Sequence, residues 1–145
     1  KQDTVNYTAL EPYPVSKEIY TKLNFFERIH SEGDTFLKLH NSDWEQEIEI
    51  NEKFIFYKSQ EKLQNFTTDK KFDIIYFDAF SPETQPEMWT EQTLKKCYEL
   101  LNKKGFLITY CAKGVVKRIL KSIGFEVIAL DGPARKRQMT RANKL

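Results

Sequence analysis

The sequence contains few of the residues that mark secreted, membrane-spanning or metal-binding proteins. Only two cysteines, Cys97 and Cys111, occur among 145 residues, in segments typical of a helix and a strand, so a disulfide framework is not expected. His30 and His40 stand apart and match no zinc-ligand spacing. No apolar run approaches the roughly 20 residues that span a bilayer, and the first twenty residues lack a signal-peptide core. These absences predict a metal-free protein of the reducing cytoplasm.

Glycine is also scarce, and its distribution excludes the common phosphate-binding motifs. The five glycines are isolated from one another, so the chain contains neither a GxGxxG turn nor a P-loop. A nucleophile elbow, a CxxC pair and a Ser-His-Asp set are absent as well. The sequence therefore offers no ready-made hydrolase or nucleotide-binding signature.

Charge is present in abundance but is unevenly distributed. From Lys113 onward the sequence contains nine basic and two acidic residues, which gives a formal charge of +7. The preceding part carries −5. A basic segment of this kind favours a polyanionic partner. The alternative from composition alone is a solvated surface on which lysine and arginine are scattered.

The apolar periodicity predicts an alternating order of strands and helices. We predict strands over 5–11, over two pieces of 47–57 around an Asn-Glu turn, and over 72–78, 106–112, 125–132 and 137–144. We predict helices over 16–30, after Gly33, within 59–66, and over 90–102 and 113–124. Segment 72–78 is apolar on both faces, which is typical of an interior parallel strand. The prediction is one α/β domain, residues 1–145, with a doubly wound, mostly parallel sheet.

Polar side chains follow several of these strands, at the edge where open α/β sheets bind ligands. Glu11 ends the first strand, and its two carboxylate oxygens suit the neighbouring hydroxyls of a ribose, although an exposed acid before a proline is the alternative. Lys58 and Ser59 end the second region. Asp78 ends the strand "FDIIYFD" and could hold an amine or accept its proton.

The loop after Asp78 has the composition of a binding loop. Ala79 is small enough for a ligand to approach the backbone, and Phe80 could stack on a base or form a pocket wall. Pro82 and Pro86 stiffen the loop, which lowers the entropy cost of holding a substrate. Trp89 either anchors the loop in the core or contacts substrate, and the first is favoured.

Four segments together resemble the methyltransferase domain of MnmC-type tRNA-modifying enzymes. They are "YTALEPYPV", "IIYFDAFSPETQPEMWTEQTLKK", "GFLITYCAKGVVKRILKSIGFEV" and "GPARKRQMTRA", and they extend over most of 5–142. The resemblance implies a Rossmann-like fold that uses S-adenosylmethionine. It also implies methylation of the aminomethyl group of 5-aminomethyl-2-thiouridine at the tRNA wobble position.

The resemblance also implies roles for single residues. Glu11 would bind the ribose of the cofactor, with Lys58 and Ser59 beside its adenine. Asp78 and Ala79 would meet the cofactor's reactive end, and Asp78 would orient the acceptor amine. The implied substrate contacts are Phe80, Ser81 and Pro82, and tRNA phosphates would meet Lys113, Lys117, Arg118, Arg135, Lys136 and Arg137.

Three features depart from the family pattern. The glycine-rich turn and the central strand that should precede "NYTALE" are absent, the acid that is usual near the position of Ser59 is missing, and Gln138 stands where a glutamate is usual. Because the chain begins at Lys1, we expect an N-terminally incomplete, stand-alone domain that binds S-adenosylmethionine poorly and is inactive by itself. Unpaired sheet edges would favour self-association. The alternative functions are a cofactor-free RNA-binding scaffold and a small-molecule N-methyltransferase.

Overall fold

The computed structural model describes residues 4–25, 33–132 and 138–145. The chain forms two compact units, residues 1–66 and 67–145, and each has its own sheet. The single domain expected from the sequence stays a prediction.

The first unit is built on a three-stranded sheet. Its elements are β1 (Val5–Leu10), α1 (Lys17–Tyr20), α2 (Gly33–Asn41), β2 (Glu47–Asn51) and β3 (Phe54–Ser59). The strand order is β1-β3-β2, with β1 parallel to β3 and β2 antiparallel to it. The predicted hairpin is thereby confirmed, and its turn is closed by Lys53, whose N–H donates to Asn51 Oδ1 at 2.9 Å.

Two predicted helices of this unit differ in the structure. The helix expected over 16–30 ends at Tyr20 in α1, and residues 26–30 lie outside the described part of the chain. Ile19, the first residue of the predicted apolar stripe, is 54% exposed and therefore contributes little packing to a longer helix. The helix expected within 59–66 is wrong. The Ser59 hydroxyl accepts the Glu61 N–H at 3.0 Å, a local bond that competes with helix formation.

The second unit combines a four-stranded sheet with two helices. Its elements are β4 (Phe72–Tyr76), a 3-10 turn (Pro86–Trp89), α3 (Glu91–Leu100), β5 (Leu101–Thr109), α4 (Gly114–Ile123), β6 (Glu126–Asp131) and β7 (Gln138–Asn143). The strand order is β4-β5-β7-β6. Its fully buried side chains include Leu94, Leu101, Leu107, Val116 and Leu120. They come from α3, β5 and α4, so the core lies between the helices and the sheet.

The sheets are mixed, which corrects the prediction of a mostly parallel sheet. Among the described residues β1–β3 and β4–β5 pair in parallel, whereas β2–β3, β5–β7 and β6–β7 are antiparallel. Within the described sheet β4 is an edge strand and not the interior strand expected from its pattern. Ile74 is 40% and Tyr76 is 66% exposed. An apolar pattern indicates which residues of a strand can be buried, but not which strands lie beside it in the sheet.

Local signals in this unit were more reliable. Thr90 caps α3 by accepting the Thr93 N–H at 3.2 Å, and Gly124 ends α4 with a φ of 111°. Strand β5 starts at Leu101, earlier than expected, and its register against β4 is irregular between Phe72 and Ile74. A Cβ on Gly105 would lie 2.9 Å from the Asp73 carbonyl oxygen. Only glycine therefore allows β5 to approach β4 so closely.

Candidate functional site

The first unit places Glu11 at the carboxyl edge of two adjacent parallel strands. Leu10 pairs with Ser59, and the Glu11 N–H donates to the Ser59 carbonyl at 2.9 Å, which ties the two strand ends together. Glu11 Oε1 accepts the Tyr13 N–H at 3.2 Å, and the side chain is exposed. Among the described residues Oε2 has no partner, so this carboxylate can still accept hydrogen bonds. This acceptor group fits the two hydroxyls of a ribose, which would donate to it.

Lys58 is nearly buried and is held by the protein itself. It is 5% exposed, and its Nζ donates to the carbonyls of Leu39 at 3.1 Å and His40 at 2.7 Å, at the end of α2. The same ammonium lies 4.5 Å from the ring centroid of Trp44. Burial lowers the pKa of Lys58, and the charge of Asp43 partly opposes that shift. The predicted place of the Lys58-Ser59 region beside the adenine stays a prediction.

Glu45 also belongs to this edge, although no sequence signal pointed to it. Its N–H donates to the Lys58 carbonyl at 2.8 Å, and its carboxylate accepts the Tyr57 hydroxyl at 2.6 Å and the Gln60 N–H at 3.1 Å. The hydrogen bond to Glu45, together with burial, raises the pKa of Tyr57 to about 12. Glu45 has a φ of 58°, and Ser59 beside it is fully buried. A left-handed backbone conformation at a glutamate cannot be predicted from sequence pattern, because tertiary contacts alone impose it.

The second unit places Asp78 at the carboxyl edge of β4 and β5. The N–H of the preceding Phe77 donates to the Ile108 carbonyl at 2.8 Å, so the strand pairing continues to the residue before Asp78. The Asp78 side chain is exposed. The next carbonyl, that of Ala79, accepts the Tyr110 hydroxyl at 2.8 Å. Burial raises the pKa of Tyr110, with smaller contributions from Cys111 and Asp78, so the hydroxyl keeps the proton that it donates.

Side chains also hold both backbone groups of Phe80. Its N–H donates to Gln85 Oε1 at 3.2 Å, and its carbonyl accepts Trp89 Nε1–H at 2.7 Å. Trp89 is 4% exposed and packs edge-to-face on Phe77 at 5.1 Å, which confirms it as the anchor of the loop. The Phe80 ring is nonetheless 72% exposed. We call Gln85, Trp89 and Tyr110 the loop brace, because they fix the backbone of Ala79 and Phe80.

Ser81 and Pro82 form the turn that follows. The Ser81 carbonyl accepts the N–H groups of Thr84 at 2.9 Å and Gln85 at 2.8 Å, and its hydroxyl lies 3.2 Å from that of Thr84. Pro82 is half-buried. The predicted contacts of both residues with substrate stay predictions.

The basic residues of this unit lie on and beside α4. Lys113 and Arg118 are exposed, and Lys117 is half-exposed. Lys113 forms an ion pair with Glu83 of the loop after Asp78. Lys117 donates to Gln138 Oε1 at 3.4 Å. The predicted phosphate ligands Arg135, Lys136 and Arg137 lie outside the described residues.

The described residues lack a metal-binding cluster and a membrane-spanning helix. No cluster of three histidine, cysteine or acidic side chains is placed to bind a metal ion there. In the same part of the chain, no helix is long and apolar enough to cross a bilayer.

Comparison with known proteins shows similarity along nearly the whole chain. A family profile described as S-adenosyl-L-methionine-dependent methyltransferase matches residues 12–145. The "tRNA 5-methylaminomethyl-2-thiouridine biosynthesis bifunctional protein MnmC" of Campylobacter hominis is 29% identical over 95% of the chain, which covers 21% of that protein. The protein of the same name from a Marinomonas species is 36% identical over 50% of the chain and 11% of its own length.

A solved structure shows the same α/β fold. The crystal structure of MNMC2 from Aquifex aeolicus matches 96% of the chain with a TM-score of 0.72 and 25% identity. The chain covers 43% of that structure. It therefore spans less than half the length of each relative compared here, and the fold is methyltransferase-like.

Proposed function

Since the chain belongs to the S-adenosyl-L-methionine-dependent methyltransferases, we propose that it serves in methylation of the aminomethyl group of 5-aminomethyl-2-thiouridine at the tRNA wobble position. S-adenosylmethionine supplies an electrophilic methyl group on a sulfonium. The observation that carries the proposal is an exposed carboxylate, Asp78, followed by the exposed ring of Phe80 on a braced loop at the carboxyl edge of β4 and β5. The relatives named for this tRNA modification support the choice of substrate.

The cofactor side of the proposal rests on Glu11, Lys58, Ser59, Asp78 and Ala79. Glu11 accepts hydrogen bonds from the ribose hydroxyls, as its unpartnered oxygen allows. The backbone around Lys58 and Ser59, held in place by protein contacts, lies beside the adenine. Ala79 lets the reactive end approach the backbone next to Asp78.

The substrate side rests on Asp78 and the loop that follows it. An alkyl ammonium has a pKa of about 10, whereas an aspartate carboxylate titrates near 4, so Asp78 is too weak a base to account for amine deprotonation alone. Its role is to orient the neutral amine and to stabilise the positive charge that develops on nitrogen as the methyl group is transferred. Phe80 stacks on the base, and Ser81 and Pro82 shape the turn beside it.

The tRNA backbone is the partner proposed for the basic surface. Lys113 before α4 and Lys117 and Arg118 on it, with Arg135, Lys136 and Arg137, neutralise phosphates. Binding should therefore weaken steeply as salt concentration rises. A tRNA substrate and two buried free thiols, Cys97 and Cys111, favour a cytoplasmic location.

Two structural expectations form part of the same proposal. Strands β1 and β4 are edge strands among the described residues, yet both expose apolar side chains, such as Val5 at 53% and Tyr76 at 66%. The free backbone groups of each edge could pair with a further strand, such as one that leads into a glycine-rich turn. Without it the chain should self-associate, which light scattering can measure.

Methyl transfer by an Asp78→Ala variant of the full-length protein tests the function. Labelled S-adenosylmethionine and under-modified tRNA are the substrates, and Asp69→Asn, an exposed acid of the same unit, is the control. We expect loss of transfer in Asp78→Ala with tRNA binding retained, and normal activity in the control. A wild-type protein that binds tRNA without methylating it would instead identify a scaffold. Salt-insensitive transfer to a small amine would identify a small-molecule enzyme.

A further inference from the structure

The amide of Gln85 uses only one of its two ends within the protein. Its Oε1 accepts the Phe80 N–H at 3.2 Å. An N–H group can bond only to the oxygen of an amide, so this contact decides which way the amide points. Among the described residues Gln85 Nε2 donates to no acceptor, and the side chain is half-exposed. A donor group of fixed orientation is therefore available at the loop surface.

The neighbouring Phe80 provides an aromatic face beside that donor. Its ring is 72% exposed, although its N–H and its carbonyl are both held by side chains of the loop brace. A large apolar ring with a fixed backbone loses little entropy when a planar group stacks on it, which suits a nucleic-acid base. A base on Phe80 would have its edge near the Gln85 amide, because the amide is bonded to the backbone of Phe80 itself.

The donor character of Nε2 restricts which base fits. At the 4-position a uracil-type base presents a carbonyl acceptor, whereas cytosine presents an amino donor. We propose that Gln85 determines base specificity by donating from Nε2 to the 4-carbonyl of a uracil-type base stacked on Phe80. The inference rests on the proposed function, since it names how the same site selects its nucleotide.

The two roles of Gln85 can be separated by one isosteric change. Gln85→Glu keeps an oxygen that accepts the Phe80 N–H, so the loop brace is preserved, but it removes the Nε2 donor. Gln92→Glu makes the same chemical change at an exposed position in the first turn of α3 and serves as the control for added negative charge. If the role of Gln85 is only structural, Gln85→Glu should leave RNA binding unchanged. If Gln85 donates to the base, the variant should lose its preference for uridine.

The experiment measures binding of the full-length protein to two anticodon stem-loops that differ only in uridine or cytidine at the wobble position. Fluorescence anisotropy gives each affinity. We expect wild type and Gln92→Glu to prefer uridine, and Gln85→Glu to bind the uridine RNA roughly tenfold more weakly and to lose the preference. The melting temperature of Gln85→Glu should equal that of wild type.

Several outcomes would overturn the inference. They are an unchanged uridine preference in Gln85→Glu, equal weakening of both RNAs in the two glutamate variants, and a wild type that does not distinguish the RNAs. Methyl transfer by wild type, measured on the same preparation, decides the proposed function separately. Transfer without a uridine preference rejects the role of Gln85 alone, and preference without transfer rejects the methyltransferase function alone.

Discussion

Removing the hydroxyl of Tyr110 tests whether the loop brace controls the placement of Asp78. This hydroxyl donates to the Ala79 carbonyl at 2.8 Å, one residue after the acid. Tyr110→Phe deletes one oxygen atom and leaves the ring in place, where it packs edge-to-face on Trp89 at 6.4 Å. The change therefore isolates one hydrogen bond from the surrounding packing.

The expected loss of stability follows from the usual free-energy contribution of one hydrogen bond. A neutral hydrogen bond contributes about 1 kcal/mol net to the free energy of unfolding. For a chain of 145 residues this corresponds to a fall of about 3 °C in melting temperature. Because catalysis depends on orientation, we expect kcat for methyl transfer to fall roughly tenfold, with tRNA affinity unchanged.

The pH dependence of this contribution has a definite sign. Burial raises the pKa of Tyr110 in the folded protein above its unfolded value of about 10. The folded state therefore holds the proton more tightly, and its contribution to stability is complete below pH 10. It is lost as pH rises through the folded-state pKa. The difference in melting temperature between wild type and variant should thus be constant from pH 6 to about 9.

A matched control is Tyr76→Phe, which removes the same atom from a side chain that is 66% exposed. Its melting temperature should stay within about 1 °C of wild type, as is usual for a surface substitution. Calorimetry and steady-state methyl transfer provide the two readouts. If Tyr110→Phe matched this control in both, the hydroxyl would not position the loop.

Three further predictions concern the first unit. In the full-length protein, Glu11→Gln should weaken S-adenosylmethionine binding roughly tenfold by titration calorimetry without changing the melting temperature, and equal affinity would contradict a ribose role. Lys58→Met should lower the free energy of unfolding in urea by about 1–3 kcal/mol, because two carbonyls at the end of α2 lose their donor; unchanged stability would show that the ammonium contributes nothing there. Ultraviolet titration of Tyr57 should give a pKa of about 12, moving toward 10 in Glu45→Gln. The stability from this bond is complete below about pH 10 and is lost as pH rises through 12, so an unshifted titration in the variant would refute the assignment.

The elements that could be predicted from sequence depend on contacts within a few residues. The Thr90 cap of α3 and the Gly124 end of α4 follow from a hydroxyl three residues from its partner N–H and from the conformational freedom of glycine. The β2–β3 hairpin follows from Asn51 in its turn. The position of Asp78 after an apolar strand also follows from local pattern, because the residue types within a few positions indicate both the strand and its end.

The predictions that failed required knowledge of distant partners. The pattern of β4 does not reveal that it is an edge strand in the described sheet, and Ser16 at the start of a helical pattern does not reveal where α1 ends. Likewise, sequence pattern does not reveal that the Lys58 ammonium bonds to carbonyls 18 and 19 residues earlier. Such pairings depend on which surfaces are buried together.

Sequence by itself determined the family, the alternating α/β elements and the acid at the end of β4. Tertiary structure alone decided that the sheets are mixed and that Glu45 meets Tyr57 across 12 positions. It also brought Tyr110 to a loop 31 positions away. The physical reason is that backbone propensities and caps act within one or two turns of chain. The orientation of a site residue is instead set by hydrogen bonds and packing that form only when distant segments fold together.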